Sequence, residues 1–336
     1  NILLKNILRK SVTTTGSNTR SNKVSGGSRS IYLIITVLGT ALGLSIITHM
    51  IEFELALDFP VNISRGLEWA IDSSITWAII EFGWFFDVIS DNLKWVLGKL
   101  RDFLIWVPWP IMMGVIAITA WRLASAKIAI GSVIGMIAIS SVSLWEPTMV
   151  TVAIMLVAVT IAISLGIPLG VLAARNNLSN TIIRPILDTM QTMPSFVYLV
   201  PGIMLFGLGN VAAILATVLY AIPPCIRLTN LGIRQVDPDV VEAGRSFGSS
   251  NMQILFKIQM PMAIPSIMAG INQTVMMALA MCTIAAMVGA GGLGIEVLRA
   301  MGQLREGESV IAGVAIVIMA IIIDRVLQGY IINRGN

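Results

Sequence analysis

"VDPDVVEAGRSFGSSNMQILFKIQMPMAIPSI", residues 236–267, is the stretch on which the fold turns. It is polar and charged through its first half, hinged on one glycine, closed by two prolines, and flanked on both sides by long apolar runs. Asp237 ahead of Pro238 is a favoured helix cap followed by a residue favoured in the first turn. Val240, Val241, Ala243 and Phe247 give that helix a short apolar face. Gly248 ends it, because glycine adopts the left-handed cap geometry at no steric cost. A second helix restarts near Ser250 and runs through Ile254, Leu255 and Ile258, and Pro261 and Pro265 then lead the chain back into apolar sequence. The spacing predicts a helix–hinge–helix bracket exposing Asp239, Glu242, Arg245 and Lys257. A segment that only joined two elements needs a handful of residues; a short rigid helix moves as one body and transmits force.

The apolar flanks show what holds the bracket. Of 336 residues, 56% are hydrophobic and 12% charged, with a mean hydropathy of +0.86. Soluble domains carry about a quarter charged residues, and several runs here reach the ~20 residues that cross a bilayer. The chain reads as a polytopic all-α membrane protein. Its net charge of +4 belongs to cytoplasmic loops rather than to a nucleic-acid surface. Cys225 and Cys282 lie far apart in apolar runs, without metal-ligand spacing, and read as small buried hydrophobes. His49 reads as an interfacial polar residue.

Residues 1–30 carry Lys5, Arg9, Lys10, Arg20, Lys23 and Arg29 and no acid, which predicts a cytoplasmic tail. Residues 31–51 form a first crossing, with no cleavage pattern after it. Residues 52–102 hold nine acidic residues against four basic ones. There Leu67, Ile71, Ile75, Ala78, Phe82 and Phe86 recur at helical spacing among Glu68, Asp72 and Glu81. This predicts an amphipathic helix lying on the outer face, its indoles in the headgroup layer. A core over 103–331 follows, with the cytoplasmic loop at 229–261. The charge-free stretch 189–226 is too long for one pass and is split at "GLGN", residues 207–210, with Pro194, Pro201, Pro223 and Pro224 punctuating the halves. About eight crossings place both ends and every basic loop inside, as the positive-inside rule asks.

The bracket resembles the cytoplasmic signature of permease subunits of binding-protein-dependent ABC importers: Glu-Ala-Ala, three residues, Gly, nine residues, Ile, one residue, Leu-Pro. Here it reads Glu242-Ala243-Gly244, Gly248, Ile258, Met260-Pro261, every interval matching, with Gly244 for alanine and Met260 for leucine. "LDTMQTMPSFVYLVP" (187–201), "AIPPCIRLTNLGIRQV" (221–236), "AGINQTVMMALAM" (269–281) and "GGLGIEVLRAMG" (291–302) look like the glycine betaine/proline betaine type, over roughly residues 65–330. The resemblance implies a type I importer permease fold in a bacterial inner membrane. It implies a coupling helix carried by Asp239, Glu242, Ala243, Gly244, Arg245, Gly248, Ile258 and Pro261. The partners it implies are two ATPase subunits that bind ATP and Mg, a second copy of the permease and a periplasmic binding protein. Choline, carnitine, trimethylamine N-oxide or a sulfonium solute is the alternative cargo, and an ATP-independent secondary transporter the alternative class.

Other motifs carry less. "GAGGLG" at 289–294 matches a dinucleotide pattern but has no βαβ context, so it reads as a tight turn or close helix approach. None of the seven lysines stands in G-x-x-x-x-G-K-[ST], so ATP hydrolysis falls to another chain. Intramembrane ionisable groups are scarce, which weighs against proton coupling; Asp324, beside Arg325, is the exception and reads as interfacial. Polar and aromatic residues near helix breaks are the candidates for the translocation path: Ser195, Phe196 and Tyr198, and Asn272, Gln273, Thr274 and Met277. The competing reading of the amides is hydrogen bonding between helices.

Overall fold

The computed structural model describes residues 25–50 and 63–335. The expectations for the tail as far as residue 24 and for 52–62 of the interfacial region lie outside the described residues, as does the side chain of His49. Every element among the described residues is helical. Two units divide the chain, Asn1–Asp72 and Ser73–Asn336. In the first, α1 (Ser25–Met50) carries the apolar run Ile31–Ile47, exposed along its length. Thr40 donates its hydroxyl to Thr36 O at 2.9 Å, the way a hydroxyl is satisfied inside an apolar helix.

The next helix, α2 (Ser64–Trp106), starts in the first unit and continues through the second. Its 43 residues are about twice the ~20 that cross a bilayer. It runs straight past residue 102, where the sequence reading ended the amphipathic segment. Nothing at 102 stops a helix; Pro108 does, by pushing Val107 out of helical geometry. There the chain turns through 102° into α3 (Trp109–Leu123). The covered stripe of α2 falls on Ser90, Leu97 and Leu104, a seven-residue repeat, with Phe86 edge-on to Phe206 at 5.5 Å.

The remaining elements are α4 (Ala126–Ser141), α5 (Trp145–Arg175), α6 (Asn177–Thr192), a 3₁₀ turn Ser195–Tyr198 leading into α7 (Leu199–Phe206), α8 (Asn210–Arg234), α9 (Pro238–Ser246), α10 (Asn251–Val288), α11 (Leu293–Gly302) and α12 (Glu306–Gly335). By length and composition α5, α8, α10 and α12 are each able to cross a membrane; α2 with α3 makes a bent pair, and Ile31–Ile47, Ala126–Ser141 and Ser195–Phe206 are shorter apolar helices. The break inside 189–226 falls at Gly207–Gly209, with φ of 72° and 125° at those two glycines. The half before it is no full crossing: twelve residues of helix rise about 18 Å. Pro223 and Pro224 do not punctuate the second half either, since α8 runs unbroken through both.

α5, α8 and α10 form the packed heart of the second unit. Small residues let them meet. A Cβ on Gly166 would stand 2.9 Å from Cys225 Cβ, and one on Gly170 would stand 2.6 Å from Thr229 Cβ. This Gly-x-x-x-Gly face is a common means of close helix approach in lipid. Cys225 and Cys282 are buried free thiols serving as small packing groups.

Candidate functional site

The bracket is built largely as its residues dictate. Asp237 caps α9 by accepting from Asp239 N at 2.9 Å, with Pro238 in the first turn. After nine residues Gly248 takes φ +78°, Gly248 N donates to Arg245 O at 2.8 Å, and Ser249 N donates to Gly244 O at 3.1 Å. These bonds satisfy carbonyls that a helix end leaves orphaned. Ser250 and Gln253 then form a reciprocal capping box that opens α10. One feature departs from expectation. α10 continues through a π turn at Leu255–Gln259 and past Pro261 and Pro265 to Val288. The bracket's second arm is therefore the membrane helix itself, with no joint at the prolines.

The bracket is anchored on its inner side. Ile254 and Leu255 are buried, Leu255 in a cluster with Ile233, Ala263 and Ile267. Gly244 is buried against Ile258. Below it, Arg234 donates to Ala173 O at 2.8 Å and to Asn177 Oδ1 at 3.0 Å. Asn230 donates to Asn180 Oδ1 at 2.8 Å, tying the end of α8 to α6. α9 thus rides on a fixed base.

Its outer side is uncovered. Asp239, Glu242, Ala243, Arg245 and Gly248 are exposed, and so is Pro261 on the adjoining arm. Val240 is 37% exposed and Phe247 90%. The apolar face predicted from Val240, Val241, Ala243 and Phe247 is split: Val240, Ala243 and Phe247 are exposed, while Val241 is half-buried beside the buried Gly244. Phe247, absent from the residues the resemblance implies for coupling, is the most exposed large hydrophobic side chain of the bracket. A large aromatic in a polar, glycine-hinged segment was the signal, and it was read as packing.

At the opposite end, the glycine turn 289–292 is a close approach of chains. Leu293 N donates to Thr151 Oγ1 at 2.8 Å and Gly291 N to Asn210 Oδ1 at 3.0 Å. Gly292 has φ +97° and its backbone lies against Thr151.

The path candidates fall in two places. Ser195 is half-buried and Phe196 59% exposed on the 3₁₀ turn. Tyr198 is buried, donates its hydroxyl to Met190 O, and meets Tyr220 edge-on at 5.8 Å. It packs with Met281 rather than Met277, so the two groups belong to separate clusters. On α10, Gln273 is exposed, Asn272 and Met277 are half-buried, and Thr274 is buried with no partner for its Oγ1. Asn272 donates to Asp324 Oδ1 at 3.4 Å, and Gln328 donates to both oxygens of the same carboxylate at 2.7 Å. Asp324 is therefore a member of an amide network between α10 and α12, and among the described residues none of the ion pairs includes it.

Known proteins resemble this chain over most of its length. The chain is 45% identical over 258 residues to the glycine betaine/proline betaine transport system permease protein ProW of Escherichia coli (strain K12), covering 77% of this chain and 73% of that one. It is 44% identical over 269 residues to the glycine betaine transport system permease protein OpuAB of Bacillus subtilis (strain 168), covering 79% of this chain and 95% of that one. Among solved structures, an inward-facing form of the MetNI methionine ABC transporter matches with TM-score 0.50 and 24% identity, over 55% of this chain and 92% of that one, a likeness of fold. Residues 166–334, which contain the bracket, α10 and α12, match the family model, and the chain belongs to the family described as binding-protein-dependent transport system inner membrane component.

Proposed function

We propose that this chain is the membrane subunit of an ATP-driven importer that passes a betaine-type osmolyte, a quaternary ammonium or related methylated solute, across a bacterial inner membrane. Two copies enclose a shared path, two separate ATPase subunits bind ATP and Mg, and a periplasmic binding protein delivers the solute. The relatives named for glycine betaine support the choice of cargo. The observation that carries the mechanism is α9 itself: capped at both ends, seated on buried Gly244 and Ile254, with Asp239, Glu242 and Phe247 uncovered.

A short helix held this way behaves as a lever. Burying Phe247 in a groove of the ATPase is worth roughly 1.5–3 kcal/mol, while the flanking charges set its register. When the two ATPases close on ATP, each α9 moves with its partner. Because α10 has no joint at Pro261, displacement of α9 acts directly on a helix that crosses the membrane. Access then switches from inside to outside, and the solute enters from the receptor.

The test is reconstitution in proteoliposomes. The chain with its ATPase and its binding protein drives uptake of labelled glycine betaine that requires ATP inside and receptor outside, and the chain alone hydrolyses no ATP. Uptake without ATPase or receptor overturns the reading.

A further inference from the structure

Asp324 is a half-buried carboxylate that closes the apolar run 310–323 of α12, eighteen residues from Glu306, or about 27 Å at 1.5 Å per residue, near the inner boundary of a ~30 Å hydrocarbon core. Its oxygens accept from the amides of Asn272 and Gln328. Those donors fix its orientation but are neutral. Among the described residues no lysine or arginine forms an ion pair with it, and its neighbour Arg325 is exposed. The other end of the Asn272 amide, Oδ1, is buried with no donor. A negative group without a cation, beside a second oxygen without a partner, is a costly arrangement in an apolar setting.

Asp324 also lines a groove. Between α10 and α12 lies an open groove of about 300 Å³, lined beside Asp324 by Met276, Ala280, Ile316, Val317, Ala320 and Ile321, with Val317 and Ile321 more than half exposed. That volume is at the lower end of ligand pockets. The lining is aliphatic apart from the Met276 thioether and the one carboxylate. A hydrated inorganic cation finds too few oxygens here to replace its water. A primary ammonium finds too few acceptors for its three N–H groups. A cation whose charge is sheathed in methyl groups has no N–H to satisfy, gains from the apolar walls, and is held by the carboxylate through space.

We propose that this groove is a recognition site for a quaternary ammonium group, with Asp324 supplying the counter-charge and Asn272 and Gln328 positioning it. The occupant is the methylated head of the solute, an identification that rests on the importer reading above; the same chemistry is carried by a choline lipid headgroup. Neither Asp324 nor α12 was among the path residues read from sequence.

The full-length chain is placed in nanodiscs of phosphatidylethanolamine and phosphatidylglycerol. Saturation-transfer NMR then follows the N-methyl protons of glycine betaine and of tetramethylammonium. Both bind saturably; Asp324→Asn weakens both at least tenfold, Asp324→Glu retains them, and neutral tert-butanol does not bind. Ala280→Leu narrows the groove from its exposed side without touching the carboxylate and also weakens binding, which keeps the test decisive should Asp324→Asn fail to fold. Unchanged binding in a folded Asp324→Asn or in Ala280→Leu overturns the site. If neither probe binds while the complete system still imports glycine betaine, the groove inference fails and the importer reading stands. If tetramethylammonium binds through Asp324 but glycine betaine neither binds nor is imported, the groove stands and the betaine reading fails. Adding phosphatidylcholine to the discs separates the sources: competition supports the site and shows that headgroups reach it, and lack of competition supports a site reserved for free solute.

Discussion

Ile258 Cδ1 lies 2.5 Å from the point where a Cβ on Gly244 would project. The two residues are fourteen apart in the chain and on opposite arms of the bracket, so the interval in the signature is a measure of this contact. Where the signature has alanine, this chain has removed one methyl. The tip of a flexible isoleucine fills the space.

The first prediction is volume exchange. Gly244→Ala forces Ile258 off its rotamer, a cost of about 0.5–1.5 kcal/mol. Ile258→Val alone leaves a small void at a similar cost. The double variant recovers most of both losses because the new methyl occupies the vacated space. A thermal-unfolding double-mutant cycle on the purified chain reads the coupling. Strict additivity shows that the two arms do not touch.

Gly248 is the second. With φ +78° and no heavy atom within 4 Å of a built Cβ, it is constrained by backbone conformation alone. Gly248→Asn is tolerated, Gly248→Ala costs about 1–2 kcal/mol, and Gly248→Val more. Solute-stimulated ATPase of the assembled complex should fall in that same order at constant expression. An order set by side-chain size rather than by tolerance of left-handed geometry contradicts the hinge.

Third, Phe247 is 90% exposed, so removing its ring leaves this chain's own stability within about 0.5 kcal/mol. If α9 seats in the ATPase, Phe247→Ala weakens the permease–ATPase complex by at least tenfold, as loss of a buried aromatic anchor does. Glu242→Lys weakens it with a marked salt dependence. Both are read by titrating labelled ATPase onto nanodisc-held permease, with unfolding as the control. Unaltered affinity for Phe247→Ala removes α9 from the interface.

How much of this was legible depends on the distance over which each signal acts. Caps and hinge at Asp237, Gly248 and Ser250 were readable because side chain and backbone meet within four residues. So was the split at residues 207–210, where glycines reach positive φ. The prolines misled: Pro223, Pro224, Pro261 and Pro265 carry a local breaking tendency, but close packing of α5, α8 and α10 holds those helices continuous. The amphipathic region read over 52–102 runs on to Trp106, because nothing local announces that the helix will continue until Pro108. Arg325 and the nearby inner boundary mark Asp324 as interfacial but do not show what it bonds to. Its partner Asn272 is 52 residues away, and no local pattern joins them.

The last prediction concerns the outer end, where Thr151 Oγ1 takes two bonds. It donates to Pro147 O at 3.0 Å, within its own helix, and accepts from Leu293 N at 2.8 Å, so it joins α5 to the first residue of α11. Both residues are buried, and the Leu293 amide belongs to a helix start that has no side-chain cap of its own. Thr151→Val keeps the shape and removes the acceptor, leaving that N–H unsatisfied at a cost of about 1–3 kcal/mol. Thr151→Ser keeps the oxygen and loses only a methyl, for about 1 kcal/mol. The valine variant should therefore unfold at lower temperature than the serine variant even though it is the closer match in volume, and amide exchange at Leu293 should rise in valine alone. If serine proves the more damaging, methyl packing rather than the hydrogen bond holds α11 in place.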